Sequence, residues 1–148
     1  MFGKGSKLYS ILNYRCPKCH EGKMFKNPNP YEISDLTKMH DSCEVCGESF
    51  LREPGFYFGA AYVSYALTVA LWVAVLVALL CFDWWGLIEF SFFENPLTFF
   101  ISGLATLVIG LPILYRLSRS IWINFFVKYD PHAKESAQAG TAKEQPQA

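Results

Sequence analysis

Four cysteines in the N-terminal third of the sequence carry its strongest chemical signal. They form two Cys-x-x-Cys pairs, Cys16 with Cys19 and Cys43 with Cys46. Two residues between the thiols let a tight turn aim both sulfurs at one ion, and four thiolates complete the tetrahedral shell that suits structural zinc. The spacing therefore predicts a closed zinc site with these four ligands and no open position for catalysis.

Other chemistry could use the same thiols. A single iron held as in rubredoxin would make the site an electron carrier, and the residue types do not separate iron from zinc. Cys16 to His20 also matches the C-x-x-C-H pattern of c-type haem attachment, which would leave the second pair unexplained. Thiol–disulfide exchange usually accompanies a thioredoxin-like alternation of strands and helices, which this sequence lacks. We therefore expect zinc, with iron as the alternative.

Two histidines lie close to the cysteine pairs. His20 directly follows the first pair, and His40 precedes the second by three positions. Either imidazole could replace a thiolate as a zinc ligand. Histidines in short polar segments are more often solvated, so we expect neither residue to be a ligand.

The segment of residues 1–53, called the head below, must hold this site. It is too small to fold on an apolar core alone, so a bound metal is expected to supply the missing stability. Residues 23–25 and 49–51 are candidate short strands. The head is therefore predicted to be a small zinc ribbon.

Charge in the head indicates the kind of partner. Its acidic side chains nearly balance its basic ones. A face that binds nucleic acid needs a clear basic excess. We expect a protein partner and no nucleic acid.

Two long uncharged segments follow the head and favour lipid as their solvent. They cover about residues 60–82 and 96–115. A helix of roughly 20 residues crosses a hydrocarbon core about 30 Å thick. The chain is therefore predicted to be a mainly α membrane protein, with a two-helix transmembrane hairpin within residues 54–129.

The charges flanking these segments predict their orientation. The connecting loop contains Asp83, Glu89 and Glu94 but no lysine or arginine, whereas both outer flanks are basic. The positive-inside rule then places both termini in the cytoplasm.

Small residues recur at every fourth position of both spans and predict how the spans pack. Small side chains on one helix face let two backbones approach closely in lipid. The two stripes are therefore expected to face each other. They consist of Ala66, Ala70, Ala74 and Ala78 in the first span, and Thr98, Ser102, Thr106 and Gly110 in the second.

The sequence after the second span predicts an interfacial helix and a tail. Pro112 is expected to bend the chain, after which Arg116, Ser120 and Asn124 form a polar stripe. Arginines in this position are expected to extend toward lipid phosphate. Residues 130–148 are short of bulky apolar side chains and are predicted to be disordered.

The order of these motifs resembles a known family. CPKCHEGKMF, CEVCGESF and REPGFYFGAAYVSY, followed by the hairpin, resemble the bacterial membrane family called domain of unknown function 983, from Leu12 to about Phe126. The resemblance implies a cytoplasmic zinc ribbon on a hairpin in the bacterial inner membrane, with no established activity. By analogy, it also suggests a role in assembling membrane complexes.

The chain lacks the usual groups of an active site. No Ser/His/Asp grouping, phosphate loop or pair of acids in a span is present in the sequence. We therefore expect a non-enzymatic binding module or scaffold. Its expected partners are the lipid bilayer and a protein bound by the head, with no small-molecule substrate.

Overall fold

The computed structural model describes residues 6–137, and its regular structure is helical. A short helix α1 (Lys7–Leu12) precedes a single 3-10 turn (Ile33–Asp35), and two long helices follow, α2 (Phe58–Trp84) and α3 (Pro96–Phe126). Within the described residues, the β structure of the head consists only of isolated antiparallel bridges. Arg15 pairs with Lys23, Phe25 with Met39, and Ser42 with Ser49. The candidate strands are therefore reduced to isolated bridging residues, Lys23 and Phe25 within 23–25 and Ser49 within 49–51.

Helices α2 and α3 form the hairpin. Both are long and apolar enough to cross a membrane, judged by length and composition. Helix α3 begins at Pro96, and Asn95 precedes it. Proline suits the first turn of a helix, because it has no N–H to donate and its φ is already helical. It then runs unbroken through Pro112 to Phe126.

The contact between α2 and α3 places large side chains of one helix against small residues of the other. The Trp72 ring lies directly over Gly103, where a Cβ would overlap the indole. The same ring packs edge-on against Phe99, with 5.2 Å between the ring centroids. Leu71, the residue before Trp72, lies opposite Gly110. A groove of small residues on α3 thus receives bulky residues of α2, which buries more apolar surface than two facing rows of alanine.

The predicted pairing of two small-residue stripes differs from this arrangement. Only the α3 stripe takes part in the contact, since Ser102, Thr106 and Gly110 are half-buried while Thr98 is exposed. The hydroxyls of Ser102 and Thr106 donate to carbonyls of their own helix. The alanine stripe of α2 lies mostly away from α3. Its members Ala66, Ala70 and Ala74 are exposed, and Ala78 is half-buried.

The last part of α3 packs against the head. Arg116, Ser120 and Asn124, predicted to face lipid phosphate or water, are fully or almost fully buried. Ser120 Oγ donates to the Ile11 carbonyl at 3.3 Å, and Asn124 Nδ2 donates to Ser10 Oγ at 3.3 Å. The prediction that this stripe faces lipid phosphate is wrong, because the head covers it, and groups of the head bind Ser120 and Asn124.

The chain continues to pack on the head after α3. The Asp130 amide donates to the Lys18 carbonyl at 2.9 Å, Ala133 is buried, and Lys134 pairs with Glu21. Order therefore extends past residue 130, where the disordered tail was predicted to begin. The rest of that predicted tail, residues 138–148, lies outside the described residues.

Candidate metal centre

Each Cys-x-x-Cys pair sits in a tight turn, here called a knuckle, and the two knuckles follow the same backbone path. The Cys16 amide donates to the Gly22 carbonyl, and the Cys43 amide donates to the Glu48 carbonyl, both at 2.8 Å. These bonds close each loop behind its first cysteine. Each knuckle therefore holds its two thiols on one side of a turn.

A residue in the left-handed region reverses the chain after each knuckle. The amide of His20 donates to the Cys16 carbonyl, and that of Gly47 donates to the Cys43 carbonyl, each at 2.9 Å. Their φ angles are 59° and 70°. Gly47 adopts this conformation without steric cost, whereas a residue with a Cβ is strained there by about 1–2 kcal/mol. His20 is thus the counterpart of Gly47 and needs compensating contacts.

The expectation that His20 is solvated is wrong, because neighbouring side chains bury its ring. The residue is only 1% exposed, and its ring centroid lies 4.3 Å from that of Tyr129. Burial lowers the pKa of His20, which favours the neutral ring. His40 is half-buried, with Nδ1 3.6 Å from Glu44. Neither histidine belongs to the candidate metal-binding group, which consists of the four cysteines.

The fold brings all four predicted ligands together. The sulfurs of Cys16 and Cys46 are 3.7 Å apart, as are those of Cys19 and Cys43, and all four lie within 4.8 Å of one another. A tetrahedral ion with bonds of about 2.3 Å to sulfur needs edges of about 3.8 Å between the sulfurs. A disulfide would bring two of them to about 2.0 Å. The arrangement therefore fits one metal ion, and a tetrahedral thiolate shell suits zinc or iron.

The electrostatics of the group also favour a cation. A hydrogen bond with Cys43, followed by burial, raises the pKa of Cys16, and the same pairing lowers the pKa of Cys43 to about 5. Burial raises the pKa of Cys46 to about 12. Without a cation, one ionised sulfur thus suppresses ionisation of its neighbours. A bound metal ion removes this conflict, because it stabilises all four thiolates at once.

Backbone amides add to the stabilisation of the thiolates. The amides of Lys18 and Cys19 lower the pKa of Cys16, and those of Val45 and Cys46 lower the pKa of Cys43. Each knuckle thus directs N–H groups at its own first sulfur. Hydrogen bonds of this kind hold the ligands of a metal site in position.

Ion pairs and apolar packing fix the two knuckles to each other and to α3. Glu48, in the second knuckle, pairs with Lys18 in the first and with Arg52, each at 3.0 Å. Ile123 and Val127 pack in the same buried cluster as the four cysteines. Sequence reasoning missed these two contributors. The signal was present for Ile123, which is apolar and lies on the same face of α3 as the polar stripe, while Val127 directly follows the helix.

Comparison with known proteins identifies the family. No curated protein and no solved structure matches the chain. The family model described as "Protein of unknown function (DUF983)" matches residues 34–126. This match covers the second knuckle and both long helices, while Cys16 and Cys19 precede it. Since the matched region is more than half of the sequence, the resemblance noted from the motifs is confirmed, and the chain belongs to the DUF983 family.

Proposed function

We propose that this chain is a membrane-anchored zinc protein that acts as a binding module or scaffold in the assembly of a membrane complex, and not as an enzyme. The observation that carries the proposal is the closed set of four buried cysteine sulfurs, packed against the end of α3. Four protein ligands fill a tetrahedral shell, so no position remains for a substrate. The metal then has a structural task.

The long helices support the membrane part of this proposal. Their side chains face outward over most of their length, including Val69, Val73 and Val77 on α2 and Leu104 and Val108 on α3. Such apolar surface is unfavourable in water and is satisfied by lipid. All backbone groups of a helix are bonded internally, which a bilayer requires. We infer that α2 and α3 cross a bacterial inner membrane, with both termini in the cytoplasm.

The rigid joint between head and hairpin supports the scaffold part. Hydrogen bonds link α3 to residues before the first knuckle, and the cysteine cluster shares its core with Ile123. Metal binding would therefore fix the head at one orientation above the membrane. A partner protein could recognise that orientation only if the head also presents a surface for it to contact.

The 3-10 turn of the head offers such a surface. Ile33 is 84% exposed there, on an element that lies between the two knuckles in sequence. Ile33 is the most exposed large apolar side chain in the described part of the head, so a protein partner that covers it would remove apolar surface from water. We propose that a partner's cytoplasmic face covers Ile33.

Photocrosslinking in native membranes tests this proposal. A photoreactive amino acid at Ile33 is expected to give a discrete adduct with one protein, identified by mass spectrometry. The matched control places the same group at Val77, which is 51% exposed in the middle of α2 and should contact lipid. Absence of a protein adduct at Ile33, or the same adducts at both positions, would contradict a head-specific partner.

A further inference from the structure

A small cationic cavity lies where the first knuckle meets α3. Its volume is about 140 Å³, and its lining includes Arg15, Lys23 and Arg116. Among its described lining residues none is acidic. Three positive charges around one cavity favour an anionic ligand.

Arg116 is the unusual member of this group because it is a completely buried cation. Its Nη1 donates to the Asn27 carbonyl at 2.8 Å, and its guanidinium carbon lies 4.8 Å from the centre of the Phe25 ring. Its Nε and Nη2 have no hydrogen-bond partner within residues 6–137. A buried charge with unmet donors is unfavourable unless a counter-charge lies close by.

The acidic group that acts electrostatically on Arg116 is paired with another residue. Asp35 interacts electrostatically with Arg116, but its carboxylate is paired with Lys38 at 2.7 Å. No ion pair of Arg116 occurs in the part of the chain that the structure describes. Within residues 6–137 the fold therefore places a cation here without an ion-pair partner.

An apolar groove lies along α3 about one helical turn before Arg116. It has a volume of about 320 Å³, and Leu71, Gly110, Ile113 and Tyr31 contribute to its wall. Ile113 and Arg116 are three residues apart, so they lie on the same face of α3. On the head side, Tyr14 lines the cavity and Tyr31 lines the groove. The groove and the cavity are therefore neighbours along α3.

We propose that this pair of sites binds one anionic phospholipid. The phosphate enters the cavity, where Arg15 and Lys23 contact it and the charge of Arg116 lies behind it, while an acyl chain occupies the groove. Basic pockets beside membrane helices recognise anionic headgroups in this way. The inference rests on the proposed insertion of α2 and α3 in a membrane.

Native mass spectrometry of the zinc-loaded full chain in non-ionic detergent tests the proposal. Phosphatidylglycerol should bind about tenfold more tightly than phosphatidylcholine with the same acyl chains, because the choline cation is repelled. Inorganic phosphate, which cannot use the groove, should not be retained. Equal binding of the two lipids would overturn the proposal, and retention of phosphate with the affinity of phosphatidylglycerol would overturn the lipid as ligand.

A charge-matched pair of variants locates the site. Lys23 is exposed and lines the cavity, whereas Lys128 is exposed and does not. Lys23→Gln is expected to weaken phosphatidylglycerol binding about fivefold, and Lys128→Gln by less than about twofold. Equal effects of the two substitutions would refute the assignment to this cavity.

The variant Arg116→Met provides a second test, which measures the melting temperature and leaves the exposed charges unchanged. The wild-type melting temperature should rise when phosphatidylglycerol is added, because the lipid compensates the buried guanidinium. The variant carries no charge there, so its shift should be less than half as large. An equal shift in both proteins would show that Arg116 is not part of the site.

Failure of this inference can be told from failure of the proposed function. If lipid selectivity is absent while the protein still carries zinc and fractionates with membranes, only the lipid site is refuted. If the protein is recovered outside the membrane fraction, membrane insertion itself is refuted, and the lipid site with it.

Discussion

At the scale of single residues, the metal site is defined by how closely the chain packs around the sulfurs. The cysteine pattern in the sequence was sufficient to predict which four sulfurs come together, because Cys-x-x-Cys spacing constrains the local turn directly. The role of His20 could not be predicted in this way. Its left-handed conformation and its contact with Tyr129 depend on a segment more than a hundred positions later, which local spacing does not reveal.

Gly22 provides a test of this packing. A Cβ at this position would overlap the Cys43 sulfur, so Gly22→Ala should displace one ligand. We expect zinc affinity to fall by about tenfold or more, as when groups supporting other metal ligands are changed. Competition with a chromophoric chelator measures this affinity.

Gly110→Ala is the matched control for that experiment. Its Cβ would meet only ordinary contacts, with Leu71 at 3.9 Å. Zinc affinity should be unchanged in this variant. An unchanged affinity in Gly22→Ala as well would mean that the knuckles tolerate a different sulfur arrangement.

At the scale of helices, the sequence identified α2 and α3 but not the faces by which they meet. A long uncharged segment is a strong signal for a helix of this kind, and α3 begins where the sequence has Asn95-Pro96. Helix α2, however, is apolar on all sides, so no polar face indicates which side is turned outward. The alanine spacing predicts contact through the alanine face of α2, whereas in the structure Trp72 packs against Gly103.

Substitutions on the two faces of the hairpin distinguish these arrangements. Gly103→Ala should destabilise the hairpin by about 1–3 kcal/mol, because the added methyl collides with Trp72. Ala70→Leu, on the exposed face of α2, should change stability by less than about 0.5 kcal/mol. Thermal unfolding in detergent measures both. A larger effect at Ala70 than at Gly103 would support contact through the alanine stripe instead.

At the scale of the whole molecule, the head and α3 form one packed unit. The polar stripe of Arg116, Ser120 and Asn124 was recognisable in the sequence, but the segment against which it packs was not. Polar side chains at the end of a span are satisfied equally by lipid phosphate or by backbone of a distant segment. Only the path of the head, which passes over this stripe at Ser10 and Ile11, decides between them.

Removal of one apolar contact should loosen this unit. Ile123 is fully buried beside the cysteines, and Ile123→Ala should cost about 2–5 kcal/mol. Hydrogen exchange should then accelerate at the Asp130 amide, which donates to Lys18. Phe125→Ala, at a position 67% exposed, is the control and should leave exchange unchanged. Equal exchange in both variants would contradict a packed joint between head and helix.

The central claim is that four thiolates hold one zinc ion in the head. Native mass spectrometry with elemental analysis of full-length protein, freshly purified from membranes, measures this directly. We expect one zinc per chain and no iron, loss of the metal in Cys46→Ser, and its retention in Cys81→Ser, since Cys81 lies on α2 outside the sulfur group. Protein without metal, or an iron-loaded protein with visible absorption, would contradict the claim.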